Sequence, residues 1–235
     1  MNAHRFLRAL CRRDDRGVSG LLEISAVLLT MGLVLAAVYS SVYSGQNTVL
    51  DSNERIRNLD EARTLMATMS KDVRTAVRTE AGTSPFLLAD TSNMWFYANL
   101  ETTSAPRLVH LYIDGQDRLY EEVWVHDPVS VAPQYRYDSK AYRVLPDSCD
   151  LPRCTVRLVG HFVANTSAEP LFTYYPETGA ALATPMSGTN ANLLSIKSVE
   201  IELRVKRDAN RMNVNTTVIQ NRVRLPNLEY NAVAG

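Results

Sequence analysis

The side chains that could do chemistry are few and scattered. Histidine occurs four times, as His4, His110, His126 and His161. None stands in HExxH or at another metal-ligand spacing, so a zinc site is not expected. There is no G-x-S-x-G, no G-x-G-x-x-G and no P-loop, and Gly17-Val18-Ser19-Gly20 lacks the spacing of a nucleophile elbow. Acids gather at Asp114, Asp117, Glu121 and Glu122, which reads as a solvated hairpin or, alternatively, a calcium site. Asn165-Thr166-Ser167 and Asn215-Thr216-Thr217 match the N-glycosylation pattern, which is frequent by chance. These residues imply no catalytic group, no metal and no cofactor, and the chain is not expected to be an enzyme.

Cysteine says more. Cys149 and Cys154 bracket Asp150-Leu151-Pro152-Arg153. An oxidising compartment favours pairing two thiols that close, whereas a metal would need two further ligands and none is near. A disulfide is therefore expected, and its short loop should stabilise by less than the typical ~2–4 kcal/mol. Cys11 lies in the basic N-terminal stretch and is expected to be cytoplasmic and reduced.

The composition bounds what must position these residues. The chain has 235 residues, 46% hydrophobic and 21% charged, enough for one domain or a domain with an extra element. The 25 basic and 25 acidic residues cancel, so the overall basic excess of a nucleic-acid binder is missing and no nucleic-acid partner is established. Three Cys are too few for a disulfide scaffold. The average conceals an asymmetry: residues 1–16 hold Arg5, Arg8, Arg12, Arg13 and Arg16 against Asp14 and Asp15, and the remainder is slightly acidic.

After Arg16 the chain becomes apolar. Leu21 to Val38 carries one charge in eighteen residues, and the run extends to Val42. About 20 helical residues cross the hydrocarbon of a bilayer. Tyr39 and Tyr43 follow where interfacial aromatics sit, and the preceding arginines keep the N-terminus in the cytoplasm. Three readings compete: a cleaved secretory signal, for which the run is long; a plain uncleaved anchor; and a leader cut on the cytoplasmic side, before the apolar run. Glu23 inside that run favours the third, because an intramembrane carboxylate is costly and an assembly partner of opposite charge would justify it. The alternative is a Glu23 that snorkels to the interface.

From Asp51 to Arg78 there is neither Gly nor Pro, and Leu59, Ala62, Met66, Met69, Val73 and Ala76 recur at helical spacing, with Leu65 and Val77 beside them. Glu54, Arg55, Arg57, Asp60, Arg63, Lys71, Asp72 and Arg74 fill mostly other positions. The pattern predicts an amphipathic helix ended by Ala81-Gly82-Thr83-Ser84-Pro85, with Gly32 and Gly45 as soft points upstream. Strands are expected over 93–100, 108–113, 118–126, 156–165, 171–175, 199–206 and 214–225. Asp114-Gly115 makes a hairpin, Asp208-Ala209-Asn210 another turn, and Val199, Ile201, Leu203 and Val205 share one face.

Arg16-Gly17-Val18-Ser19-Gly20-Leu21-Leu22-Glu23-Ile24 resembles the cleavage and methylation motif of type IV pilins and type II secretion pseudopilins. The later order is similar to the branch of minor pseudopilin J and minor pilin W: a long helix, an aromatic strand, Phe172-Thr173-Tyr174-Tyr175, and a C-terminal hairpin ending in Thr216-Thr217-Val218 and Asn221-Arg222. The resemblance implies a peptidase cut after Gly17 and methylation of Val18, which makes Glu23 the sixth mature residue where the family has its Glu fifth. Val18 stands in place of the usual Phe. A cut after Gly20, with Leu21 first, is the alternative.

It further implies an α+β, pilin-like fold: a basic leader over 1–17, a transmembrane helix over 18–43, its amphipathic continuation over 44–80, and an extracytoplasmic β-rich head over 81–235. The implied function is that of a minor pilin or pseudopilin that helps assemble or cap a type IV pilus or type II secretion pseudopilus. Its partners would be other minor and major pilins or pseudopilins, the prepilin peptidase and the membrane, with Glu23 meeting a neighbour's N-terminal ammonium. The rival is a single-pass, membrane-anchored extracellular ligand-binding domain.

Overall fold

No proline occurs before Pro85, and the first helix uses that freedom. In the computed structural model α1 runs Ala3–Arg74, through Gly32 and Gly45 without a break. The structure describes residues 3–100, 105–138, 140–147, 149, 152–188, 190–206 and 216–228, with backbone alone over 3–19 and at 227. The expected turn at 208–210 lies outside them. The chain divides into two units, Met1–Asn53 and Glu54–Gly235. The first is helix. The second holds nearly the last six turns of α1 and all the described strands, so the fold is α+β: a long N-terminal helix and an antiparallel β domain.

Within the second unit the expected stripe is the buried one. Ala62, Leu65, Met66, Met69 and Val73 enter the main core. Each large member stabilises by roughly 1.5–3 kcal/mol through loss of apolar surface to water. The helix stops earlier than the heptads suggest. The amides of Thr75 and Ala76 fold back onto the carbonyls of Asp72 and Val73. Then Val77 N donates to Tyr97 O at 2.9 Å and Asn99 N to Thr75 O at 2.9 Å, with Ala76 bridging Ala98. Pairing with the end of a strand thus takes the backbone groups that helix would need, and the stretch to residue 80 is not helical. Asp72, placed among the solvent positions by its spacing, is buried.

Nine strands follow among the described residues. They are β1 (Phe86–Ala89), β2 (Asn93–Ala98), β3 (Arg107–Ile113), β4 (Leu119–Trp124), β5 (Cys154–Gly160), β6 (Phe172–Tyr175), β7 (Met186–Ser187), β8 (Ser198–Val205) and β9 (Thr217–Arg224), with the short helix α2 (Ala191–Ser195) before β8. One sheet has the order β5-β4-β3-β2-β1-β7 and the other β6-β8-β9, every pairing antiparallel. The β3–β4 hairpin turns at Asp114-Gly115 as expected, and Val199, Ile201, Leu203 and Val205 all face the core. β1, β7 and α2 had no signal strong enough to expect them. The strand anticipated over 156–165 begins at Cys154 and ends at Gly160.

The main core gathers the α1 stripe with Met94, Phe96, Val109 and Leu111 of one sheet and Phe172, Ile201 and Leu203 of the other. A second cluster lies on the opposite face of the six-stranded sheet: Leu87, Trp95, Tyr97, Leu108, Trp124, Tyr137 and Cys154. The described residues of segment 125–153 cover that face as a strap, with Tyr135, Tyr137, Leu145 and Cys149 packed on it. Tyr137 OH donates to Pro106 O at 2.7 Å, and the Arg143 guanidinium reaches Ser84 O and Phe86 O at 2.9 and 3.2 Å. The expected disulfide closes the strap: Cys149 is bonded to Cys154, the first residue of β5, with Cα atoms 5.2 Å apart.

One contact sets how closely the helix approaches the sheet. A Cβ placed on Gly160 would lie 2.3 Å from Leu65 Cδ2 and 2.9 Å from its Cγ. Gly160→Ala should therefore lower the melting temperature of the detergent-solubilised chain, at a cost of about 1–3 kcal/mol for overpacking. Leu65→Ala/Gly160→Ala should be less destabilised than the sum of the single variants, because the first change removes what the second collides with. Strict additivity in thermal melts would show that this contact does not limit the packing.

Candidate functional site

Within the first unit, the helix from Leu21 to Val42 is predominantly apolar on all sides, with Glu23 its one charge. Every residue from Leu21 to Leu50 is exposed, and the Gly20–Arg74 part of α1 is long and apolar enough to cross a membrane, with a mean hydropathy of 2.3 in its most apolar window. Three of its hydroxyls bond to the helix's own carbonyls. Ser25 Oγ donates to Leu21 O at 2.8 Å, Thr30 Oγ1 to Val27 O at 2.9 Å and Thr48 Oγ1 to Ser44 O at 3.0 Å. Such internal bonds are what an apolar solvent demands. Tyr39 and Tyr43 stack with ring centroids 6.4 Å apart.

Glu23 is the one charged residue between Gly20 and Leu50. It is exposed and has no hydrogen-bond or ion-pair partner among the described residues. Gly20 and Leu21, the alternative cut, precede it by less than one turn. The backbone of Gly17 and Val18 is helical, but their side chains and that of Cys11 lie outside the described residues.

The second unit distributes its chemistry differently from the sequence clustering. The four acids of the β3–β4 hairpin go to four environments. Asp114 caps its own turn, accepting from Gln116 N at 2.8 Å and from Arg118 Nε at 2.7 Å. Asp117 has a left-handed backbone, φ 58°, and its carbonyl accepts from Val163 N. Glu121 and Glu122, being neighbours on β4, point to opposite faces of the sheet. Among the described residues no three of His, Cys, Asp and Glu come together as metal ligands. The calcium alternative therefore finds no convergent carboxylates in this hairpin.

On the outer face, Glu122 joins a polar row laid across the strands. His110 stacks on Trp95 with centroids 3.9 Å apart and on Tyr112 at 4.3 Å. Its Nδ1 lies 3.0 Å from Glu122 Oε2 and its Nε2 lies 2.9 Å from Asn93 Oδ1, while Tyr112 OH donates to Glu122 Oε1 at 3.1 Å. Burial pushes the His110 pKa down, and the Glu122 carboxylate opposes that shift. With both nitrogens engaged and both ring faces covered, His110 holds the sheet together and is not free to act as a base. The period-two placement of Asn93 and Trp95, His110 and Tyr112, Tyr120 and Glu122 was readable as one face. Nothing in it marked the face as covered by the strap.

On the helix-facing side, Glu121 meets Asp72 and Arg157. Arg157 donates from Nε to Glu121 Oε2 at 2.7 Å, and its Nη2 donates to the same oxygen. Glu121 is 3% and Asp72 5% exposed, and Asp72 Oδ2 is buried with no hydrogen-bond partner among the described residues. Two carboxylates beside one guanidinium carry one negative charge too many for a buried site. Burial first, and the Glu121 charge second, raise the Asp72 pKa to about 7, against the pull of Arg157 and Lys71. Protonated, Asp72 is a donor to Glu121.

No family model matches this chain, and no curated protein matches it.

The buried acid pair has a sign that can be measured. The folded-state pKa of Asp72 lies above its unfolded value, so the unfolded chain loses this proton first as pH rises. The stabilisation is complete below about pH 4 and is lost as pH climbs to about 7. Asp72→Asn keeps a donor without the charge. It should melt higher than the parent at pH 8 and converge with it near pH 4. Parallel melting curves for the two chains from pH 4 to 8 would show that Asp72 ionises normally in the fold.

Proposed function

We propose that this chain is a minor pilin or pseudopilin, a membrane-anchored subunit that helps assemble or cap a filament. The observation that carries the reading is an all-round apolar helix interrupted only by Glu23, whose later turns supply the core stripe of a β-rich domain. The mechanism is assembly without catalysis. The apolar segment resides in the bilayer with the arginine-rich end cytoplasmic and the β domain extracytoplasmic, and then packs among the helices of neighbouring subunits. Glu23 becomes affordable there because an N-terminal ammonium on a neighbour pairs with it in a low dielectric, where an isolated carboxylate is costly. The disulfide supports an oxidising compartment for the β domain.

Processing separates this reading from its rivals. Co-expression with a prepilin peptidase should shorten the chain by roughly 2 kDa while it stays membrane-bound, whereas a cleaved secretory signal would lose more mass and release the β domain. N-terminal mass spectrometry should find the cut after Gly17 and a methylated Val18; a terminus at Leu21 would move the cut to Gly20. An unshortened chain would leave a plain anchor and overturn the proposal. Glu23→Ala should insert at least as well as the parent, because a charge leaves the apolar run, and should co-purify poorly with other filament subunits. Co-purification equal to the parent at matched membrane levels would remove Glu23 from assembly.

A further inference from the structure

Residues 71–77 lie between two side-chain clamps. Upstream, Asn221 Nδ2 of β9 donates to Ser70 Oγ at 2.8 Å. Downstream, Thr79 Oγ1 and Tyr142 OH share a hydrogen bond of 2.9 Å. Between the clamps α1 comes to its end. The carbonyl of Asp72 accepts from Thr75 N at 3.1 Å and from Thr75 Oγ1 at 2.7 Å. Two bonds then seat the chain on β2, Val77 N to Tyr97 O and Asn99 N to Thr75 O. The backbone of Asp72 thus holds the exit of the helix, while its side chain enters the core beside Glu121.

The charges around that side chain do not cancel. Glu121 faces it from β4 and Arg157 from β5, and these two stand directly opposite each other in the strand pairing. Lys71 is its exposed neighbour on α1, and β9 contributes only the neutral Asn221. Glu122 and His110 pair on the other face of the sheet. Arg157 places Nε and Nη2 on one oxygen of Glu121, so that carboxylate is neutralised, and a second one buried beside it needs a proton. When the proton leaves, the Asp72 carboxylate must reach water. Thr75 hangs on the Asp72 carbonyl and moves with it, which breaks the two bonds to β2. Val73 and Ala76 are fully buried and would be uncovered, so the open form stays a minor state. We infer that residues 71–77 form a proton-operated latch, closed while one proton is held between Asp72 and Glu121, and opening between the Ser70 and Thr79 clamps when it is lost. The latch lies wholly within the second unit and needs no filament. It yields at one joint while both sheets stay closed.

Amide hydrogen exchange of the full chain in detergent micelles, corrected for the intrinsic rate at each pH, reads the latch. Asp72 has its pKa raised to about 7 in the fold, so opening should grow from the ordinary carboxylate range up to about pH 7 and level off above it. The limit is about tenfold per pH unit, one proton's worth. Protection of the Val77 and Asn99 amides should fall at least tenfold between pH 5 and pH 7. Both should exchange at least tenfold faster than Glu202, whose N–H bonds Leu171 O within the β domain, and should ignore urea below the unfolding transition, as a local opening does. Asp72→Asn should flatten the pH dependence to less than about twofold, with the titration of His110 still present. Glu121→Gln removes the repelling charge and should flatten it as well, which keeps the test open if the first variant does not fold. Protection of Val77 and Asn99 independent of pH in the parent would overturn the latch. So would exchange at the rate and urea response of Glu202, or an unchanged pH dependence in either variant.

Discussion

The β domain depends on one helix face finding a sheet that lets it come close. Ala62, Leu65, Met66, Met69 and Val73 enter the core, and Leu65 packs where the sheet ends in a residue with no side chain. Interiors pack near crystal density, so a methyl at Gly160 would displace the Leu65 side chain from its place in that stripe. The other features of the domain follow from that approach. The helix must end at Arg74 so that residues 75–77 can pair beside β2, and Asp72, in the last turn before that exit, is carried into the core with it.

Once Asp72 is inside, the electrostatics of the sheet are constrained from both sides. β4 carries Glu121 toward the helix and Glu122 away from it, and each needs a cationic or donating partner. Arg157 serves the first, and His110 with Tyr112 serves the second. The helix side has more acid than base and resolves the excess by holding a proton. The outer side is balanced by stacking, since the ring of His110 lies between Trp95 and Tyr112. One strand thereby couples a titratable pair in the core to an aromatic row under the strap.

The parts of this fold that were legible in the sequence are those written as periodicities. The helical stripe, the β3–β4 hairpin at Asp114-Gly115 and the alternation of β8 each repeat a chemical choice several times, so noise at one position does not hide them. The Cys149–Cys154 bridge was legible from spacing and compartment. What stayed hidden depends on tertiary context. Asp72 looks like a solvent residue until the helix ends three residues later. Four neighbouring acids look like one cluster until the pleat separates Glu121 from Glu122. β1 and β7 are too short to show a period, and the edge position of β5 belongs to sheet order, which no local pattern encodes. The Glu23 region was legible as an oddity, an acid in an apolar run, and that residue is exposed and has no partner among the described residues.

The strap leaves an optical signature in the molecule. The chain has two tryptophans, Trp95 and Trp124, and both sit in the outer cluster beneath segment 125–153, with ring centroids 6.4 Å apart. Neither belongs to the main core. The intrinsic emission of this protein therefore reports on the covered outer face of one sheet and is blind to the helix–sheet interior, while the ring of His110 against Trp95 makes that emission sensitive to the charge of an imidazole. Far-ultraviolet dichroism, dominated by α1, observes the other half of the fold. A chain that sheds its strap before its core melts would darken or shift in fluorescence while its helical signal stood unchanged, so the two spectroscopies partition the molecule along a boundary that its own tryptophans draw.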